Sequence, residues 1–258
     1  MSLVNKVALI TGASSGIGRG TAIEFAKRGS RLALVGRNQE KLRETRADCL
    51  SCGVKEEEVL LIQADLSSET ETKRALEETI NKFKRLDILV NSAGIIGSGT
   101  TESTPLELYD TIMNINLRSV FHLIQLSIPH LKESKGNIVN VSSVAGLRAF
   151  PGVMAYCLSK AGLDQLTRAA ALELAPFQVR VNAVNPGVIV TELHKNSGMS
   201  QDNYANFLEH CKTTHALGRP GTVDEVTKSI AFLASDDSSF TTGVTLAIDG
   251  GRGQMCPR

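Results

Sequence analysis

The sequence predicts an α/β protein: one domain on a parallel sheet of about seven strands, with helices on both faces. Three observations predict it. Short apolar runs rich in β-branched residues recur at Val7–Thr11, Arg31–Val35, Val59–Gln63, Leu86–Asn91, Asn137–Ser142, Val179–Asn185 and Gly243–Ile248. These runs are apolar on both faces, as strands covered by helices on both sides must be. Between them lie stretches of helical period, among them Gly18–Arg28, Glu69–Phe83 and Ala155–Leu174. Strand and helix in alternation, joined by right-handed crossovers, make a doubly wound, Rossmann-like sheet.

Composition excludes several classes. With 42% hydrophobic and 21% charged residues, the chain can bury a core and is not a disordered one. Its 28 basic and 27 acidic side chains leave a net charge of +1, which gives no reason to expect nucleic acid as a partner. No apolar run approaches the roughly 18–20 residues of a membrane span. Met1–Lys6 leads directly into the first apolar run, which leaves no room for a leader. Neither Ser2 nor Cys256 fits a lipidation signal. The expectation is a cytoplasmic protein, a single domain over 1–258, without linker or repeat. Five scattered cysteines suit reduced thiols. Cys49 and Cys52 form a CxxC without a second pair or nearby histidines, so no metal is expected. The sequon at Asn140 falls inside a strand and reads as incidental.

Taken in order, the first strand ends in Thr11-Gly12-Ala13-Ser14-Ser15-Gly16-Ile17-Gly18, with a helix directly behind it. Glycines there allow a tight turn and bring backbone N–H groups close to a diphosphate, and the helix N-terminus adds partial positive charge. The spacing is Gly-x3-Gly-x-Gly, not the literal dinucleotide pattern. The second strand ends in Val35-Gly36-Arg37-Asn38. An NAD enzyme usually places a carboxylate there for the ribose 2′-hydroxyl. Gly36 takes that position here, and the Arg37 guanidinium suits a 2′-phosphate, which points to NADP(H); the alternative is a solvated arginine at a helix start. Asp65, after the third strand, is placed to accept from an adenine amino group or to cap the next helix.

The fifth strand delivers Ser143 at its C-terminal end, the edge where open α/β sheets bind ligands. Tyr156 and Lys160 follow on a helix at i and i+4, hence on one face. A free phenol titrates near ~10, and a neighbouring cation lowers that value. Pro129, Pro151, Pro176, Pro186 and Pro220 read as element boundaries. The segment 191–215, with scattered Leu193, Met199, Tyr204 and Phe207, reads either as a substrate flap or as a pair of surface helices.

These motifs together resemble the short-chain dehydrogenase/reductase family in its standard-length, single-domain form, over Lys6 to about Gly251. The glycine turn is similar to the family's TGxxxGIG. Asn91-Ser92-Ala93-Gly94 resembles its NNAG motif with serine in second place. Asn114-Ile115-Asn116-Leu117 carries its helix asparagine at Asn116. Asn185-Pro186-Gly187 with Ile189 and Thr191 resembles the segment that contacts the nicotinamide carboxamide. Gly218–Gly221 and Ile248–Gly251 resemble its C-terminal signatures.

The resemblance, which extends in a general way to 3-oxoacyl-carrier-protein reductases and related carbonyl and hydroxysteroid reductases, implies an oxidoreductase acting on a carbonyl or secondary alcohol with NADP(H). It implies that Tyr156 exchanges a proton with the substrate oxygen and that Ser143 polarises that oxygen. Lys160 would lower the phenol pKa and orient the cofactor, and Asn116 would hold a relay water. Gly12, Ser14, Ser15, Gly16, Ile17, Gly18, Arg37, Asn38, Asp65, Leu66, Asn91, Ala93, Gly94, Tyr156, Lys160, Pro186, Gly187, Ile189 and Thr191 are the expected cofactor contacts. A homo-oligomer, commonly a tetramer, is implied too.

Expected pocket walls are Ile95, Ile96, Leu147, Phe150, Met154, Val188 and the 191–215 segment, largely apolar and suited to a hydrophobic ketone. Arg148 reads as solvated or as a partner for an acidic substrate. Two rival readings are an idle NADP-binding scaffold or sensor, and an epimerase or dehydratase on the same frame. The four filled catalytic positions oppose the first. The glycine spacing and the lack of a larger C-terminal domain oppose the second.

Overall fold

A computed structural model describes residues 2–193 and 199–255. All seven expected strands form: β1 (Val7–Thr11), β2 (Arg31–Gly36), β3 (Val59–Gln63), β4 (Ile88–Asn91), β5 (Asn137–Val141), β6 (Arg180–Pro186) and β7 (Thr245–Ile248). They pair in parallel in the order β3-β2-β1-β4-β5-β6-β7. The order reverses between β1 and β4, so the connections leave that edge in opposite directions and open a crevice at the strand C-termini.

The helices are α1 (Gly16–Lys27), α2 (Gln39–Ser51), α3 (Glu69–Phe83), α4 (Leu106–Met113), α5 (Ser119–Ser134), α6 (Val144–Leu147), α7 (Met154–Leu174), α8 (Gln201–Thr214) and α9 (Val223–Ala234). Alternation along the strands assigns them to two layers. Ala8, Ile10, Leu32 and Leu34 pack with Phe25 of α1, Leu42 of α2 and Ile230 of α9. Their neighbours Val7, Leu9, Ala33 and Val35 pack with Leu76 of α3, Leu123 of α5 and Leu163 of α7. Burying each large side chain contributes about 1.5–3 kcal/mol.

Three expectations change. Pro129 lies inside α5, not at a boundary. The carbonyl it leaves without a donor belongs to Gln125, one turn back, and both residues are exposed, so water satisfies it. Asp65 does not cap α3: Ser68 does, accepting from Glu71 N–H. Arg148 is exposed but not free: its guanidinium donates to the carbonyls of Arg252, Gly253 and Met255 at 3.3, 3.0 and 2.7 Å. Of the 191–215 segment, residues 194–198 lie outside the described residues. The rest supplies α8, capped by Ser200 and tied back through the Tyr204 hydroxyl to Thr191 O at 2.9 Å.

Among the described residues no helix is long and apolar enough to cross a membrane, and no His/Cys/Asp/Glu group is arranged to hold a metal. Burial pushes the Cys49 thiol up to about 12, which leaves it unreactive at neutral pH. Cys256 is outside the described residues.

Candidate active site

The first strand passes directly into a turn shaped by backbone contacts. Gly12 and Gly16 have φ of 65° and 51°, the left-handed region that glycine enters without strain. A Cβ on Gly12 would stand 2.9 Å from Ala93 N, and one on Gly18 would stand 2.3 Å from the Gly12 carbonyl oxygen. The Thr11 hydroxyl accepts from the N–H groups of Ser92 and Ala93 at 3.0 and 3.1 Å, joining the ends of β1 and β4. Side chains cap α2, α3 and α9, whereas Ser15 makes no cap hydrogen bond to α1. The first-turn N–H groups of α1 therefore face the crevice without a side-chain acceptor. That is a fit for a diphosphate.

At the other end of this turn, Gly36, Arg37, Asp65 and Leu66 line the same crevice. A Cβ on Gly36 would lie 3.1 Å from Ser14 Oγ, so a carboxylate there would require Ser14 to give way. Asp65 accepts from Ser67 N–H at 2.9 Å, and this hydrogen bond holds its carboxyl below the usual range, with help from the Arg37 charge. Asn38 is not on the crevice wall. It caps α2, accepting from Lys41 N–H at 3.0 Å. Asn91 is also set back: it is buried, and its amide donates to Asn140 Oδ1 at 2.9 Å.

Ser143, Tyr156 and Lys160 meet on the crevice wall. Ser143 ends the β5 connection in an extended conformation, and its hydroxyl accepts from Ala145 N–H at 3.1 Å as the cap of α6. Lys160, one helical turn after Tyr156 on α7, donates to Val141 O at 2.9 Å and lies 5.6 Å from the phenol ring centroid. Burial pushes the Tyr156 phenol up to about 12, while the Ser143 hydroxyl pulls the other way. Burial also lowers the Lys160 ammonium to about 8, opposed by the charge of Asp164. The expected lowering of the phenol by Lys160 is absent from this arrangement. The lysine is turned toward the β5 carbonyl, and desolvation governs both groups.

Asn116 sits in a π-turn (Asn114–Arg118) between α4 and α5 and is fully buried. Such single turns are common at functional sites. Its amide bonds both backbone groups of Ile95 and donates to Ser159 Oγ at 3.1 Å. The side chain thus anchors the loop after β4 to α7.

Three supporting residues carry no sequence motif. Asp164, a turn beyond Lys160, is buried and accepts from Asn185 Nδ2 at 3.1 and 2.9 Å through its two oxygens. Burial raises its carboxyl, and hydrogen bonds from Ser142 and Asn185 oppose the rise. His215 Nε2 accepts from Val188 N–H at 3.2 Å, which assigns its proton to Nδ1, 3.1 Å from Cys211 O. A Cβ on Gly187 would lie 2.9 Å from that Nε2. His215 therefore backs the Pro186–Val188 wall. Arg252 reaches the crevice from beyond β7.

Together these walls enclose a cavity of about 550 Å³ that runs from Arg37 to Phe150. Ile95, Ile96, Phe150, Val188, Thr191, Leu193 and Phe207 line it; Leu147 and Met154 do not. Leu147 is exposed at the end of α6, whose single turn points it away.

The chain matches known proteins over nearly its whole length. The enoyl-(acyl carrier protein) reductase family model matches residues 12–252. A 3-oxoacyl-[acyl-carrier-protein] reductase of Thermotoga maritima is 39% identical over 257 residues, covering 97% of this chain and 99% of the relative. A Caenorhabditis elegans short-chain dehydrogenase/reductase of unknown function, crystallised with cofactor, superposes with a TM-score of 0.94 at 37% identity, covering 98% and 97% of the two chains. Carveol dehydrogenase of Mycobacterium avium, solved in complex with NAD, gives 0.90 at 28% identity, covering 98% and 99%. With a parallel sheet, a diphosphate turn and a serine, tyrosine and lysine on one wall, this chain belongs to the short-chain dehydrogenase/reductase family, oxidoreductases of carbonyl and alcohol groups that use a nicotinamide cofactor.

Proposed function

We propose that the protein is an NADP(H)-dependent reductase of hydrophobic ketones. One observation carries the reading: a single continuous cavity has Arg37 at one end and Ser143, Tyr156 and Lys160 at the other. Arg37 donates no hydrogen bond to a described residue and stands beside Gly36, where a carboxylate would repel a 2′-phosphate. The uncapped start of α1 and the turn Gly12–Gly18 would hold the diphosphate, with Asp65 and Leu66 beside the adenine. Ala93, Gly94, Pro186, Gly187, Ile189 and Thr191 would bracket the ribose and carboxamide of the nicotinamide end.

The bound nicotinamide supplies the hydride. The protein's own residues manage the proton. A phenol held up to about 12 is fully protonated at neutral pH, so Tyr156 is poised to donate to the carbonyl oxygen as the hydride reaches the carbon. Ser143 donates a hydrogen bond to the same oxygen and stabilises the charge that develops there. The Lys160 ammonium, still charged at pH 7, would stabilise the phenolate that Tyr156 becomes by turning toward it from the Val141 carbonyl. Asn116 acts at one remove by holding the loop beneath Lys160.

Fluorescence titration with NADPH and NADH in parallel, followed by a ketone panel read at the NADPH absorbance, tests the proposal. Tighter NADPH binding with turnover, lost by about 10²–10⁴-fold in Tyr156→Phe, is the expected result. Preference for NADH would remove the cofactor assignment, and turnover surviving in Tyr156→Phe would remove the role of the phenol.

A further inference from the structure

We infer that Arg252 is the specificity residue of the crevice and that the ketone it admits carries a carboxylate; this rests on the reductase reading above. Beyond β7 the chain turns back through Gly250 and Gly251, at φ of 57° and 80°. The Asp249 carboxylate fixes the turn by accepting from Gly251 and Gly253 N–H at 2.9 and 2.6 Å. From the other side Arg148 grips the carbonyls of Arg252, Gly253 and Met255. The segment is pinned from both directions, and it delivers the Arg252 guanidinium to the cavity wall.

There the guanidinium lies over the Phe150 ring, 4.8 Å from its centroid. Its Nε is buried with no hydrogen-bond partner, and among the described residues the group donates no hydrogen bond at all. The remaining charges on the crevice wall are accounted for. Arg37 and Asp65 belong to the adenine end, Lys160 donates to Val141, and Glu192 pairs with Lys41 at 3.1 Å. Asp249 is spent on its own turn. Among the described residues Arg252 is left as a half-buried cation with no hydrogen-bonded anion, feeling the Asp249 charge only at longer range, beside the apolar walls of the substrate end. Burial lowers its pKa from the ordinary guanidinium value, so the folded protein already bears a desolvation cost at this position.

An incoming oxyanion offsets that cost, and the guanidinium fork matches a carboxylate with two parallel N–H···O bonds. One guanidinium balances one negative charge, which fits a carboxylate better than a dianionic phosphate. The apolar surface around it fits a hydrocarbon body between the acid and the ketone.

The test pairs linear and cyclic oxocarboxylates with their methyl esters, as substrates with NADPH and as ligands in calorimetry. The wild-type protein is expected to favour acid over ester. Arg252→Gln is expected to weaken the acid by about 10- to 100-fold, the worth of a charge-assisted hydrogen-bond pair, while changing the ester by less than about threefold. If that variant does not fold, Arg252→Lys keeps the stem and charge but not the fork, and a loss of at least about threefold on the acid is expected. Equal use of acid and ester, or a ratio unchanged by substitution, overturns the inference while leaving the reductase reading intact. Arg252-dependent binding of the acids without any turnover keeps the anion site and overturns the reductase reading instead.

Discussion

Asn116 grips both backbone groups of Ile95: Oδ1 accepts from its N–H and Nδ2 donates to its carbonyl, each at 2.8 Å. A Cβ on Gly94, the residue before it, would stand 3.3 Å from Asn116 Oδ1 and 3.6 Å from Lys160 Nζ. The asparagine therefore sets the floor on which the lysine rests. Asn116→Ala strands two backbone groups, and a loss of about 2–4 kcal/mol of unfolding free energy is expected in urea titration. Turnover is expected to fall further than nucleotide affinity, because the displaced loop underlies Lys160.

Arg37→Ala is expected to weaken NADPH by about 10- to 100-fold and to leave NADH within about threefold. Parallel fluorescence titrations measure both. Equal losses for the two nucleotides would assign Arg37 to general electrostatics and not to the 2′-phosphate.

The buried lysine and tyrosine imprint themselves on stability against pH. Lys160 falls from 10.5 to about 8 on folding, so between those values the unfolded chain binds more protons and stability rises with pH. Tyr156 rises from 10.0 to about 12, so above pH 10 the folded state binds more protons and stability falls again. Urea midpoints of the wild type are expected to climb from pH 8 to about 10. In Lys160→Met that climb is expected to flatten. A wild-type curve as flat as the variant's would show that Lys160 titrates near its ordinary value.

Gly18→Ala places a methyl group 2.3 Å from the Gly12 carbonyl oxygen and 2.6 Å from its carbon, both backbone atoms with no rotamer to change. Overpacking of this kind costs about 1–3 kcal/mol. The turn and the start of α1 must move apart, so a lower Tm and a loss of NADPH binding are expected together. Gly53, with nothing within 4 Å of an added Cβ, supplies the contrast: Gly53→Ala strains only its own φ of 94° and leaves binding unchanged.

Much of this molecule is legible from residue order. Ile10 and Leu34 announce strands buried on both faces, and the glycine turn, Ser143, Tyr156 and Lys160 fall on one crevice as their spacing implies. What the sequence does not disclose depends on direction. Asn38 is adjacent to Arg37, yet its side chain turns back to cap α2, accepting from the otherwise orphaned Lys41 N–H. Leu147 follows Ser143 by four residues but leaves the wall with the one-turn helix α6. The π-turn at Asn116 has no composition signal, since it is one extra residue in an otherwise helical pattern. Arg252 and Arg148 are far apart in the chain, and no local period links them; the Gly250-Gly251 pair was the available sign that the chain doubles back.

The strand order has a consequence for the order in which the molecule is made. β1 is an interior strand, and its neighbours β2 and β4, with β3 at the edge, are complete once residue 91 has been added. Gly12 to Gly18, Arg37, Asp65 and Ala93 all precede the first residue of β5. The glycine turn and its neighbours thus belong to a block of consecutive chain that can assemble on the ribosome while Ser143, Tyr156 and Lys160 are still untranslated. The later strands add only to the β4 edge, one after another, so those three residues are laid onto a template that already exists. Chain growth therefore crosses this sheet from the Arg37 end of the crevice to the end that holds Ser143, Tyr156 and Lys160.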